Sequence, residues 1–413
     1  MALPKILHNK IFILSLGILL FAITYYVFVV DCSRRALLDF EVYLAAAKTF
    51  AAGGNIYAQP YDVSDRWERH LALYYLYPPL LAQVLSKFLT LSQASLAYAW
   101  CLCAWLCIVG SAWCIAELIS YSWWKRWSKA QRFLLVYFFL VCFEPVYWGV
   151  SDGQVSAIVL LLLSIFLLAD FRDKPVTAGS ALALAVLIKM SPLLLLLGVM
   201  RLRRWKTLIA FGVSCLALNL WLFSDAGSTQ PILDFIHSLR GIGDERASRG
   251  FLFNFVFDKS LLAPFGLEND EIARCIVRAS LVALPVLAVL KIRDTSRYGG
   301  LALYALLICF MLVCSPLIWF HHLAWALLPI AVLSCTEKSE IQVWLRHLTV
   351  CVGLYFGLSQ VNLIHYWTFK ELPQYNWISS LVPTTLLLLL ASCLWRSKES
   401  LAPSKEKDKA RDA

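Results

Sequence analysis

Apolar runs of about the length that crosses a bilayer recur from one end of this chain to the other. The first covers residues 11–30 ("IFILSLGILLFAITYYVFVV"), and a transmembrane helix needs roughly 20 such residues. A chain patterned this way has few options, because backbone groups in lipid must be satisfied within a helix or a closed barrel. Runs of this length are helical. The composition agrees: 60% of the 413 residues are hydrophobic and 15% charged, against about 25% charged in soluble domains. The expected class is an all-α polytopic membrane protein. Residues 31–34 ("DCSR") carry no small-x-small cleavage signature after the first run, so it reads as an uncleaved helix and not a secretory signal.

The net charge of +10 does not point to nucleic acid. Its basic residues cluster in short loops, "KRWSKAQR" (125–132), "RLRRWK" (201–206) and "KIRDTSR" (291–297), and in the tail from Arg396. Cytoplasmic loops carry this bias. Threading on that basis puts both termini inside and gives about 12 transmembrane helices. Residues 176–200, interrupted by Lys189-Met190-Ser191-Pro192, form two short ones. Spans are expected near 11–30, 93–119, 132–148, 154–169 and 205–223, then five beyond 272. The outer loops are 31–92, 224–272 and 361–376. One integral domain covers 1–395, and 396–413 is a charged, disordered cytoplasmic tail. The stretch 77–92 reads as a helix lying on the outer face.

Most of the 13 cysteines lie within apolar runs, where they behave as small hydrophobes. Cys32 and Cys275, near helix ends, are left as a candidate pair. No HExxH or Cys-His spacing is present, and adjacent histidines on a helix point about 100° apart, so no metal site is expected. A weakly held divalent cation is left open.

With this threading the ionisable and polar residues needing explanation share the outer side. They are Asp39 and Glu41, Asp152 and Gln154, Lys189, the "RASRGFLFNF" loop (246–255), and His321-His322. Such groups at membrane depth are costly and usually line pathways or sites. Helical geometry separates the first two acids. Leu37, Phe40, Leu44, Ala47 and Ala51 form an apolar stripe, Asp39 and Tyr43 lie opposite it, and Glu41 shares a flank with Lys48. Each residue also has a plainer reading: Asp39 as a solvated carboxylate, Asp152 as a helix cap, Lys189 as a snorkelling cation, and the histidines as part of an aromatic belt.

Taken in order, "DFEVYLAAAKTFAAGGNIYAQPYD" (39–62), "YLYPPLLAQVL" (75–85), "WGVSDGQVSAIVLLLL" (148–163), "AGSALALAVLIKMSPLLLLLGVMRLRRWK" (178–206) and "CSPLIWFHHLAW" (314–325) resemble the bacterial glycosyltransferase family 87. These are polyprenyl-phosphate-mannose-type transferases of the multi-spanning GT-C class. The resemblance implies a GT-C fold with membrane-parallel helices in the first outer loop. It further implies a site facing the periplasm across the inner membrane, and inverting transfer of one sugar from a polyprenyl-phosphate carrier. That sugar is mannose or, in some relatives, arabinose; the acceptor is a hydroxyl of a cell-envelope glycolipid or polysaccharide. The resemblance makes Asp39 the general base, with His321 and His322 beside it as catalytic candidates and Lys189 on the phosphate. Gln154, Asp152, Tyr43, Tyr77, Arg249 (or Arg246), Asn254 and Trp319 are the remaining donor-binding candidates. Relatives often carry an "NQS" element where this chain reads "FNFVFDKSL" (253–261), so Asn254 and Ser260 match loosely. No cofactor is implied. The alternatives are a lipid-linked-sugar transporter, against which the lack of a second broken helix counts, and a GT-C transferase modifying lipid A.

Overall fold

The computed structural model describes residues 10–64, 70–121, 127–239, 254–255, 262, 266–267, 270–291, 296–313 and 318–334. Its chain is helical nearly throughout. Helix α1 (Lys10–Tyr25) is extended by a wide turn, Tyr26–Asp31, and a tight one, Cys32–Arg34. Together they form a span of 24 residues with its apolar surface largely outward. Helix α2 (Leu38–Ala51) follows at once. A hairpin of β1 (Tyr61–Ser64) and β2 (His70–Leu73) comes next, antiparallel with Tyr61 opposite Leu73. Then comes α3 (Pro79–Ser86), with Pro79 at its first position, where a missing N–H costs nothing. It is shorter than the expected 77–92, and α2 and α3 pack together.

Helix α4 (Gln93–Ile119) is a full span and matches the expected 93–119. Ser92 caps it, its hydroxyl accepting from the Ser95 N–H. The next run departs from expectation. Instead of one helix over 132–148, α5 (Lys129–Cys142) and α6 (Glu144–Ser151) meet at a bend of 64°. Pro145, in the first turn of α6, has no N–H to bond the carbonyl four residues back, so the α5 ladder cannot run on through it. Phe143 takes an extended conformation between the two helices.

Helix α7 (Ser156–Phe171) and α8 (Pro175–Ile188) form an antiparallel pair with α4 on one side and α10 on the other. The chain then breaks at Lys189, as the Ser-Pro pair predicts. It passes through a tight turn (Ser191–Leu194) into α9 (Leu195–Arg201). Helix α10 (Trp205–Ala226) is the third long span and ends on Gly227 in the left-handed conformation. It packs against α8 so closely that a Cβ at Gly179 would sit 2.4 Å from the Thr207 carbonyl oxygen. Helix α11 (Gln230–Leu239) follows it.

The remaining elements are β3 (Asn254–Phe255), α12 (Glu271–Lys291), α13 (Arg297–Val313) and β4 (Ile318–Trp319). A tight helical turn (Phe320–Ala326) then leads into α14 (Leu327–Ser334). Pro329 falls in the first turn of α14, where it is tolerated. Among the described residues three helices are long and apolar enough to cross a membrane, four if the bent α5–α6 pair is one span, and several apolar helices are shorter. This is an all-α polytopic membrane architecture. Cys32 is buried and Cys275 exposed, and no disulfide joins them, so the considered pair does not form. The last expected helices and the charged tail lie outside the described residues.

Candidate active site

Two chain segments separated by over a hundred residues meet at the start of α2. The Asp39 N–H, free because it belongs to a first helical turn, donates to the Asp152 carbonyl at 2.9 Å. The 151–154 loop can come this close because Gly153 has no side chain. Its φ is +73°, and a Cβ there would lie 2.6 Å from the Phe40 Cβ. Trp100 of α4 fixes the same loop, its indole N–H donating to the Gly153 carbonyl at 2.9 Å while its ring stacks on Phe40 at 4.9 Å. So the apolar stripe of α2 packs on protein, and Asp39 is held opposite it, 9% exposed. Lys48 is exposed and Glu41 half-buried, the flank that geometry assigned to them.

Gln154, 2% exposed, occupies the centre of the site. Its Oε1 accepts from the Tyr77 hydroxyl at 2.9 Å and from the Tyr43 hydroxyl at 3.2 Å. With the oxygen taken, its amide nitrogen serves Asp39, to which the side chain is hydrogen-bonded. Burial pushes the Asp39 carboxyl up to about 6, against the opposing pull of that hydrogen bond and of the Lys189 charge.

Lys189 comes from the break after α8, where the chain leaves helical geometry (φ −150°, ψ 124°). Its ammonium contacts the His322 Nε2 and lies 5.2 Å from the Tyr77 ring centroid and 5.4 Å from that of Trp325, within cation–π range. His322 stacks on Trp325 (5.3 Å, 14°), and its ring meets His321 edge-on at 4.6 Å. Both histidines are buried. Trp325 is anchored by its indole N–H to the Ser156 carbonyl at 3.0 Å. Gly149 lets α6 pass this corner, since a Cβ there would clash with the Ser156 Oγ at 2.4 Å.

Of the sequence candidates, the fold thus unites Asp39, Tyr43, Tyr77, Gln154, Lys189, His321 and His322. Tyr43 is wholly enclosed between Tyr75, Tyr77 and Trp100, so it orients Gln154 and offers no face to a ligand. Tyr77 is half-buried; its hydroxyl bonds Gln154, the partner of Asp39, and its ring faces Lys189. Asp152 follows the end of α6 and does not cap α7, whose cap position is Val155. Asn254 and Trp319 are opposite one another in the β3–β4 pairing, which ties residues 254–255 to the histidine segment. Arg246, Arg249 and Ser260 lie outside the described residues. The sequence reading missed Gly153, whose signal was the Asp-Gly pair itself, and the anchoring roles of Trp100 and Trp325. Among the described residues no group of three or more His, Cys, Asp or Glu side chains could hold a metal ion.

The fold and this enclosed polar site define a helical membrane protein with its chemistry held among spanning and interfacial helices. The family follows from comparison. The model of glycosyltransferase family 87 matches residues 75–316, over half of the chain, and the protein belongs to that family, hence to the GT-C class of membrane glycosyltransferases. The matched stretch contains Tyr77, Asp152, Gln154 and Lys189; Asp39 and the two histidines flank it. A solved structure, ArnT from Cupriavidus metallidurans bound to undecaprenyl phosphate, is similar over 96% of this chain and 80% of its own, with 14% identity and a TM-score of 0.46. Comparison with curated proteins gives no match.

Proposed function

We propose that this membrane glycosyltransferase moves one sugar, mannose in the first instance, from a polyprenyl-phosphate donor to an envelope acceptor. Asp39 acts as general base at a site facing the outside of a bacterial inner membrane. The carrying observation is the pairing of an enclosed carboxylate with an enclosed cation, each held by neutral partners on either side of Tyr77.

The chemistry suits that arrangement. A sugar hydroxyl is a weak nucleophile, and a base within hydrogen-bond reach must take its proton as it attacks the anomeric carbon. Gln154 orients the Asp39 carboxylate for that transfer. A base poised near 6 remains about nine-tenths ionised at pH 7 yet takes a proton more readily than an ordinary aspartate. As the new C–O bond forms, the bond from the anomeric carbon to the phosphate oxygen breaks, and the electron pair leaves with the polyprenyl phosphate. That leaving group is already a stable anion and needs no protonating acid, so a single carboxylate suffices and the configuration inverts. Lys189, beside His322, stabilises the phosphate charge as it develops. Tyr77 offers an aromatic face and edge to the sugar between them.

Purified protein supplied with mannosyl, arabinosyl and glucosyl polyprenyl phosphates in membrane extract tests this directly. Release of free polyprenyl phosphate with the mannosyl donor is expected, and no release with any donor contradicts the reading.

A further inference from the structure

A second feature lies on the same helix as the base, at its other end. A polar cleft of about 560 Å³ opens where α2, α3, α10 and α11 terminate or begin, bounded by Gly53, Gly54, Asn55, Lys87, Asp225, Ser228, Gln230 and Asp234. We propose that this cleft seats an acceptor glycan of several sugar residues, an assignment that rests on the transferase reading with Asp39 as base.

Three observations carry it. First, the groups lining the cleft are set by bonds among themselves that leave both donors and acceptors unspent. Asn55 Oδ1 accepts the Tyr57 N–H at 2.8 Å, and Ser228 Oγ accepts the Gln230 N–H at 3.3 Å. Gln230 Nε2 donates to Asp234 Oδ1 at 2.7 Å. The Asn55 amide nitrogen and the Ser228 hydroxyl remain to donate, and Asp234 Oδ2 and Gln230 Oε1 to accept. Vicinal sugar hydroxyls, each both donor and acceptor, answer such a mixed set. Second, the charge balance disfavours an anion. The lining holds one cation, Lys87, already paired with Asp225, against two carboxylates. Phosphate has no excess positive charge to bind.

Third, the cleft and the site lie on either side of one shared wall. Tyr57, directly beyond the cleft, sets its ring 5.7 Å from Phe235 of α11 and donates its hydroxyl to the Tyr77 carbonyl at 2.8 Å. At a rise of 1.5 Å per residue, the end of α2 lies roughly 18 Å from Asp39, further than one sugar ring reaches. An acceptor that fills the cleft and also offers a hydroxyl to Asp39 is therefore a chain.

The test is titration calorimetry on full-length protein in lipid nanodiscs, with single sugars and linear hexasaccharides of mannose, glucose and arabinose as probes. At least one hexasaccharide is expected to bind, at least tenfold tighter than its single sugar. Asp234→Ala, which removes an acceptor, and Ser228→Trp, which fills the cleft from an exposed loop, are each expected to weaken that binding at least tenfold. The proposal is overturned if no chain binds better than its single sugar, or if both variants bind like the unaltered protein. Failure of the transferase reading shows separately, as retained sugar transfer by Asp39→Asn.

Discussion

Charge is buried at both ends of the helical bundle, and the two ends treat it in opposite ways. Where α7 turns into α8 and α9 into α10, Glu117, Asp170 and Asp173 each meet an arginine. Arg204 reaches Asp173 at 3.0 Å and Asp170 at 3.8 Å, Arg297 pairs with Asp173, and Arg172 meets Glu117 at 2.5 Å. These charges hold helix ends together and are spent on each other. At the other end Asp39 takes a neutral amide and Lys189 a histidine, and Tyr77 bonds that amide's oxygen while its ring faces the ammonium. A carboxylate and an ammonium enclosed near one another with no direct ion pair between them are costly to the fold. Such a cost makes sense where a substrate brings the missing charge and the missing proton.

Substitutions at each end separate the two uses of charge. The largest effect is expected from Lys189→Met. Losing one fixed stabiliser of developing charge should slow transfer by about 10²-fold or more, while thermal stability holds or rises, because an uncompensated buried charge has gone. A radiolabelled transfer assay beside a thermal melt reads both. A lower melting temperature with full transfer per folded molecule would place Lys189 with the structural charges.

Gly153→Ala comes next. Its positive φ and its contact with Phe40 make even a methyl group strained there, at a cost of about 2 kcal/mol. Because the Asp39 N–H is tied to the same loop, transfer per folded molecule should also fall. Unchanged transfer would mean that the α2–loop contact does not position the base.

At the paired end, Asp170→Ala removes a 6% exposed carboxylate. It should cost about 1–2 kcal/mol of stability, moderated because Arg204 keeps Asp173, and leave transfer per folded molecule intact. The smallest effect is expected from Arg297→Ala, a half-exposed partner of Asp173. Less than about 1 kcal/mol should be lost, and less still at high salt. Denaturation of both variants at two salt concentrations checks the pair.

Much of this was legible in the sequence because lipid leaves so little freedom. The spans at 11–30, 93–119 and 205–223 are long apolar runs, and the break at Lys189 is written in Ser-Pro. The placement of Asp39 opposite the apolar stripe follows from helical spacing alone. What stayed hidden depends on contacts between distant segments. The Asp-Gly pair marks a turn at Gly153, but nothing local names Phe40 as its neighbour, or says that Tyr43 would be enclosed or that Trp325 would stack on His322. The bend at Phe143 was readable from Pro145, yet the surrounding apolar run outweighed it. The hairpin at 61–73 is two four-residue strands, too short for alternation to stand out.

The central claim, that Asp39 takes the acceptor proton, is tested most directly by sugar transfer in Asp39→Asn alongside the pH profile of the unaltered enzyme. The substitution preserves shape and the Gln154 contact. Because the folded carboxyl is raised to about 6, the ionised form lowers stability above that pH, and the variant should be at least as stable at pH 7. Transfer should fall by about 10³-fold or more, and the unaltered enzyme should lose rate as pH drops through about 6 and the base is protonated. Transfer by Asp39→Asn within a few fold of the unaltered enzyme would contradict the account.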